Sequence, residues 1–141
     1  MARIHAFHFL RLEKGHFFLA QDTLPDDHPT KLGLGWAVAM DKPAFIGKVA
    51  LERMAAFPLE RKLVGFRFDA TPQRGAPVYA SARIVGRVTS CAVSPALGYP
   101  IGLGWLRMVD GAFPERVRAG DVMATVVPRP FYDPEGARIR A

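Results

Sequence analysis

Ile84-Val85-Gly86-Arg87-Val88-Thr89-Ser90-Cys91-Ala92-Val93 reads as a strand, and the fold is decided by what surrounds it. Pro77 to Ala80 forms a second strand just before it, joined through a tight turn near Ser81-Ala82-Arg83. After it, Ser94-Pro95-Ala96-Leu97-Gly98 is a loop and Ile101 to Leu106 a further strand. Leu63 to Phe68 precedes the group. Arg107 to Gly120 is a longer connection, and Asp121 to Val127 is the last strand, β-branched and aliphatic. Short strands with turns between them predict a small antiparallel barrel or sandwich. The tail, Pro128-Arg129-Pro130-Phe131-Tyr132-Asp133-Pro134, is excluded from a central strand by its prolines.

Upstream of residue 59 the pattern changes. Residues 1–14 carry apolar side chains without strict alternation, and Gly15 stands where a left-handed residue would stop a helix. His5, Phe7, His8 and Phe9 crowd the start of that helix, which implies burial against something large. His16 to Ala20 reads as a short strand, and residues 22–31 as a polar loop. Leu32, Leu34, Trp36, Val38 and Met40 alternate with Gly33, Gly35, Ala37 and Ala39, which predicts a strand with one large apolar face and one nearly bare face. Asp41-Lys42-Pro43 makes a turn. A helix follows from about Gly47, with Val49, Ala50, Met54 and Phe57 expected on its buried side, and Pro58 closes it. The fold class is therefore α+β, with residues 1–58 as one unit and 59–141 as a β-barrel unit. Leu32-Gly33-Leu34-Gly35-Trp36 and Ile101-Gly102-Leu103-Gly104-Trp105 nearly repeat each other, and both are expected to be glycine-bearing strands in different layers.

The 141 residues are 50% hydrophobic and 23% charged, the balance of a globular chain and not of a disordered one. No apolar run approaches the ~20 residues that span a bilayer. The start shows no secretory signal, and the single cysteine has no partner for a disulfide. A cytoplasmic protein is expected. The net charge of +6 attracts anions, but the cations are scattered, without a basic run or a stacking motif for nucleic acid. A small polyanion, such as a carboxylated or phosphorylated cofactor, fits scattered cations as well, and so does a basic solvated surface or one facing an acidic partner subunit.

Most sites of known chemistry fail on spacing. Gly33-x-Gly35 and Gly102-x-Gly104 lack the third small residue of a dinucleotide loop, since Val38 and Arg107 stand there. His5, His8 and His16 have no cysteine pair or further ligand motif beside them. Cys91 lies inside a strand with no histidine nearby in sequence, as an inert thiol would. Asp26, Asp27, Glu52, Glu60, Glu115 and Asp121 sit where solvation explains them. Glu13 differs, because it lies among Leu10, Leu12, Phe17 and Phe18, beside Gly15. A half-buried carboxylate needs donors. Two uses stand open: a structural salt bridge to Arg11, Lys14 or a later arginine, or a two-donor edge of a planar ligand.

Leu10-Arg11-Leu12-Glu13-Lys14-Gly15, Gln21-Asp22, Leu34-Gly35-Trp36-Ala37-Val38 and Asp41-Lys42-Pro43-Ala44-Phe45-Ile46-Gly47-Lys48 follow one another in that order, and Gly86 to Pro95 and Ile101 to Gly104 come after them. Together these segments resemble the aminomethyltransferase family, the glycine-cleavage T-proteins together with the folate-binding halves of sarcosine and dimethylglycine oxidising enzymes. The last two look like that family's C-terminal barrel signature. The resemblance implies tetrahydrofolate as the cofactor, with Glu13 on the pterin, Lys42 where the family often has arginine, and Tyr132 as a third contact. It implies transfer of a one-carbon unit from an amine donor to tetrahydrofolate. The family's catalytic aspartate precedes the glutamate motif and has no counterpart here. A partner supplying that N-terminal half, or oxidase subunits, is therefore implied. The other role the resemblance leaves open is an assembly module of an amine-oxidising, sarcosine oxidase-like complex.

Overall fold

The structure, a computed structural model, describes the backbone of residues 2–25 and 27–140, and the side chains of these except 2–5 and 139. Six strands form one closed antiparallel barrel: β1 (Arg61–Phe68), β2 (Pro77–Ala80), β3 (Arg83–Val93), β4 (Pro100–Arg107), β5 (Arg116–Ala119) and β6 (Val122–Val127). The order around it is β1-β4-β3-β2-β5-β6, and β6 returns to β1. Closure leaves no exposed ladder edge. β5 lies inside the stretch 107–120 expected to be connection. Arg116-Val117-Arg118-Ala119 is short and half charged, and it is strand because β6 and β2 pair with it on either side.

Alternation along β1 fills the barrel. Val64, Phe66 and Phe68 point inward and meet Val78, Val88, Leu106, Val117 and Ala124. Gly102 and Gly104 of β4 lie across from Phe66 and Val64. A Cβ at Gly104 would sit 2.8 Å from the Phe66 ring and 2.4 Å from the Arg87 carbonyl oxygen, and one at Gly102 would sit 2.8 Å from the Phe68 ring. The two glycines therefore make room for two rings, as an interior of this size requires.

The opposite face of the same strands builds a second core. Ile101, Leu103 and Trp105 of β4, with Leu63 of β1, face outward and pack against Leu12 and Leu32. Leu12 comes from α1 (Ala2–Glu13) and Leu32 from α2 (Pro29–Leu32). Gly15 ends α1 with φ of 68°, and the bonds His16 N to Arg11 O (2.8 Å) and Gly15 N to Leu12 O (2.7 Å) close the helix as expected.

Between the cores and residue 58 the expectations need correction. Residues 16–20 form no named strand; their one pairing is an isolated bridge from Leu19 to Thr23. Residues 32–40 are not a strand either. Pro29 starts a helical turn, Gly33 ends it at φ of 75°, and a 3-10 turn follows at Gly35–Ala37. The helix expected near Gly47 is present as α3 (Lys48–Ala55), but none of its side chains is buried. Phe7 at the start of α1 is also exposed, although it stacks on Phe18.

Candidate functional site

Glu13 is the last residue of α1 and is 5% exposed. No cation pairs with it among the described residues, so the salt bridge expected as one use of it is not formed. Its Oε1 accepts from Ser94 Oγ at 2.5 Å and from the Ala96 N–H at 3.2 Å. Ser94 is itself held by the Leu97 N–H, which donates to its Oγ at 3.0 Å. The β3–β4 loop thus wraps one carboxylate oxygen with neutral donors. The second oxygen, Oε2, accepts nothing from the described residues and is not among their sealed polar atoms. Two bonds use both acceptor sites of Oε1, and both sites of Oε2 stay free. A donor pair on a planar ligand would meet Oε2 first.

The tail closes on the same corner. The N–H groups of Phe131 and Tyr132 donate to the Glu13 carbonyl at 2.9 and 3.0 Å. Lys14 Nζ donates to the Asp133 carboxylate at 2.9 Å and to its carbonyl at 2.8 Å. That bond, before other causes, holds the Asp133 carboxyl below its ordinary range. The structure therefore sets Tyr132 beside Glu13 through the backbone. Lys42 lies apart, in the exposed turn after Met40, with no hydrogen bond or ion pair from its side chain among the described residues.

Asp22 fixes the corner from below and is 1% exposed. Its Oδ2 accepts from Arg11 at 2.7 Å and from the Phe18 N–H at 2.8 Å. Its Oδ1 accepts from Thr89 at 2.6 Å and from Ser90 at 2.5 Å. Trp105 Nε1 donates to its carbonyl at 2.8 Å. Neighbouring strand residues normally face opposite ways, yet Thr89 and Ser90 reach one oxygen. The register of β3 on β4 shifts between Val88 and Ser90, and this bulge turns both side chains to the same side. Arg11 and Asp22 thus clamp the end of α1 to β3 and hold Glu13 under the Ser94 loop.

Asp22 and Ser94 carry this corner although neither stood out as chemistry in the sequence. Their signal was their place in the segments that resemble the family. Asp27 also differs from expectation: its side chain is buried and pairs with Arg61 at 2.9 Å. Cys91 is half-buried; burial pushes its pKa up, with Arg74 opposing, and its Sγ donates to the Pro72 carbonyl at 3.2 Å.

Beside the corner lies a cavity of about 880 Å³, within the span of ordinary small-molecule sites. Phe17, Leu34, Trp36, Lys62 and Arg129 are among its lining residues, while Glu13, Lys42 and Tyr132 are not. Arg129 ties it together, with its guanidinium donating to the carbonyls of Leu32 (2.8 Å), Leu63 (3.2 Å) and Gly15 (3.4 Å). Burial lowers the Arg129 pKa from its ordinary value, with Asp22 opposing.

The family model described as the glycine cleavage T-protein C-terminal barrel domain matches residues 61–133. This chain belongs to the glycine cleavage T-protein family. An aminomethyltransferase of Halothermothrix orenii is 40% identical over 129 residues, covering 86% of this chain and 36% of that protein. One of Thermosynechococcus vestitus is 38% identical over 135 residues, covering 87% and 35%. The crystal structure of the glycine cleavage system aminomethyltransferase T from Bartonella henselae superposes with a TM-score of 0.77 at 28% identity. It covers 93% of this chain and 39% of that one. The chain thus spans a little over a third of the length of the T-protein relatives it matches. These relatives lend no support to the amine-oxidising assembly role. Among the described residues no helix is long and apolar enough to cross a membrane.

Proposed function

We propose that this chain supplies the pterin-holding carboxylate and the C-terminal barrel of an aminomethyltransferase-type protein. That protein passes a one-carbon unit from an amine donor to tetrahydrofolate. The observation that carries the reading is Glu13, a carboxylate at 5% exposure that forms no ion pair among the described residues. A buried carboxylate kept only to stabilise the fold would be expected to spend both oxygens on fixed donors. Here one oxygen is fixed by Ser94 and Ala96 and the other is left unspent. The amino group and ring N–H of a pterin form a two-donor edge that suits such an acceptor.

Bound folate supplies the one-carbon acceptor, and this chain's residues hold it. Glu13 fixes the donor edge, and the Ser94 loop fixes Glu13. Tyr132 is anchored to the Glu13 carbonyl through its backbone N–H, which brings the residue to the same corner. Lys42 offers a cation from the exposed turn, without the planar fork that an arginine would bring. The chemistry requires the remaining two-thirds of the protein, and cytoplasmic residence is part of the same reading.

Isothermal titration with tetrahydrofolate tests it, on the chain joined to that remainder. Glu13→Ala is expected to weaken binding by about 1.5–3 kcal/mol, tenfold or more, because a charge-assisted contact is lost. Circular dichroism checks that the variant is folded. Equal affinity for the folded variant and the wild type would remove Glu13 from the site.

A further inference from the structure

We propose that the outer face of the barrel, where β1 begins and β4 ends, holds a phosphate-binding site built on Arg87 and Arg107. Its ligand is inorganic phosphate or the phosphate head of a small monoester. Glu13 does not line this site, which is independent of folate binding.

The strand register gathers three arginines there. Arg61 opens β1 directly opposite Arg107, the last residue of β4. Arg87 of β3 lies opposite Trp105, two residues before Arg107, so all three share a side of the sheet with that tryptophan. Cβ atoms of opposed residues lie about 4.5–5.5 Å apart and diagonal ones about 7–8 Å, within reach of long side chains. Like charges placed this way repel each other. Asp27 answers only Arg61, at 2.9 Å, and the Arg61 guanidinium also stacks over Trp105 at 4.6 Å. Arg87 and Arg107 are exposed and form no ion pair or side-chain hydrogen bond among the described residues.

A cavity of about 260 Å³ lies among these groups, and the acids that line it, Asp22 and Asp27, are already committed. Asp27 accepts from Arg61 and from the Leu24 N–H, and Asp22 accepts its four bonds below the Glu13 corner. Neither carboxylate is left for Arg87 and Arg107. Two free guanidiniums match a phosphate, which carries a charge of about −1.5 to −2 at neutral pH, better than a single carboxylate. The volume is below the ~300 Å³ at which sites for whole drug-sized ligands begin, and it suits a charged head group. Thr23 also lines the cavity at 2% exposure, and its hydroxyl has no partner among the described residues. A buried hydroxyl left unpaired is costly, and an oxyanion in the cavity supplies the missing acceptor.

Nuclear magnetic resonance of the arginine Nε–H groups tests the site on the full chain, at neutral pH and constant ionic strength. Inorganic phosphate is titrated in one arm and glycerol 3-phosphate in a second, with acetate as the control anion. Phosphate is expected to shift the Arg87 and Arg107 signals saturably and to raise the melting temperature. Arg87→Gln and Arg107→Gln are each expected to weaken binding about tenfold, because a charge-assisted contact is lost. Without phosphate, Arg107→Gln is expected to melt no lower than wild type, since a like charge opposite Arg61 is gone. Arg116→Gln, at an exposed arginine outside the cavity, is expected to bind as wild type does. Tighter binding of glycerol 3-phosphate than of phosphate assigns the site to a phosphorylated small molecule. Equal or weaker binding assigns it to free phosphate, and either result upholds it. Three results overturn the proposal: no saturable shift, acetate bound as tightly as phosphate, or unchanged affinity in the double variant Arg87→Gln, Arg107→Gln.

Discussion

Leu32-Gly33-Leu34-Gly35-Trp36 and Ile101-Gly102-Leu103-Gly104-Trp105 carry nearly the same residues and end as opposites. In the second, β4 lies between β1 and β3 and both ladders run its full length. Its glycines face the barrel interior and its large residues face the outer core, and Trp105 is 6% exposed. In the first, no neighbouring strand offers hydrogen bonds. The backbone closes its own bonds instead, with Gly33 N donating to Thr30 and Leu34 N to Pro29, and Trp36 stands 84% exposed. An alternating pattern states which face a strand would bury. Whether a strand forms depends on available partners, because backbone polar groups must be paired somewhere.

The tryptophans give the widest test of that contrast. Trp105→Ala removes a buried ring, its stacking under Arg61 at 4.6 Å and its bond to the Asp22 carbonyl. A cost of about 3–5 kcal/mol is expected in urea unfolding. Trp36→Ala removes a ring that lies in neither core cluster, and a change within about 0.5 kcal/mol is expected. Similar costs at the two positions would mean that the Trp36 ring is packed against this chain in a way the structure lacks.

The glycines test the same difference on a smaller scale. Gly104→Ala places a methyl 2.4 Å from the Arg87 carbonyl, inside a ladder that cannot move aside. About 1–3 kcal/mol of destabilisation is expected. Gly35→Ala meets nothing within 4 Å and has no positive φ to strain. It is expected to be neutral or to stabilise by about 0.4–1 kcal/mol, through a narrower unfolded ensemble. Thermal melts of the two variants, run together, are expected to shift in opposite directions or to leave only Gly104→Ala displaced.

Five of the six strands were legible in the sequence because each is apolar enough to announce itself. β5 was not, since its arginines tie it to solvent while Val117 and Ala119 alone enter the core. The burial of α3 was misjudged for a related reason. Val49, Met54 and Phe57 have the character of a packed face, but nothing among the described residues buries them. At the site, Glu13 could be singled out as a half-buried carboxylate, but its partners could not. Ser94 and Ala96 lie more than 80 positions away in sequence and reach it through the β3–β4 loop. Asp22 looked like one acid in a polar loop, and two of the four bonds to its carboxylate exist because a bulge in β3 turns two hydroxyls toward it.

The tail asks how much of the shielding of Trp105 comes from the sheet itself. Phe131 packs on the same outer core, and the Lys14–Asp133 bond ties the tail in place. The Asp133 carboxyl is held below its ordinary range, chiefly by that bond. A carboxyl depressed in the folded state adds stability that is full above its unfolded value and is lost as pH falls through the folded one. The tie is therefore intact at neutral pH and fades in the acid range below about pH 4. Hydrogen exchange at residues 129–137, corrected for the pH dependence of intrinsic exchange, is expected to lose protection there, while the β4 amides keep theirs. Lys14→Met is expected to loosen the tail already at neutral pH and to shrink the acid step, leaving the part that the Ala137 N–H bond to Asp133 contributes. If the Trp105 ring becomes open to a neutral quencher such as acrylamide along with the tail, then the tail covers it. If it stays shielded, β1, α1 and α2 suffice, and the difference between the two tryptophans belongs to the sheet.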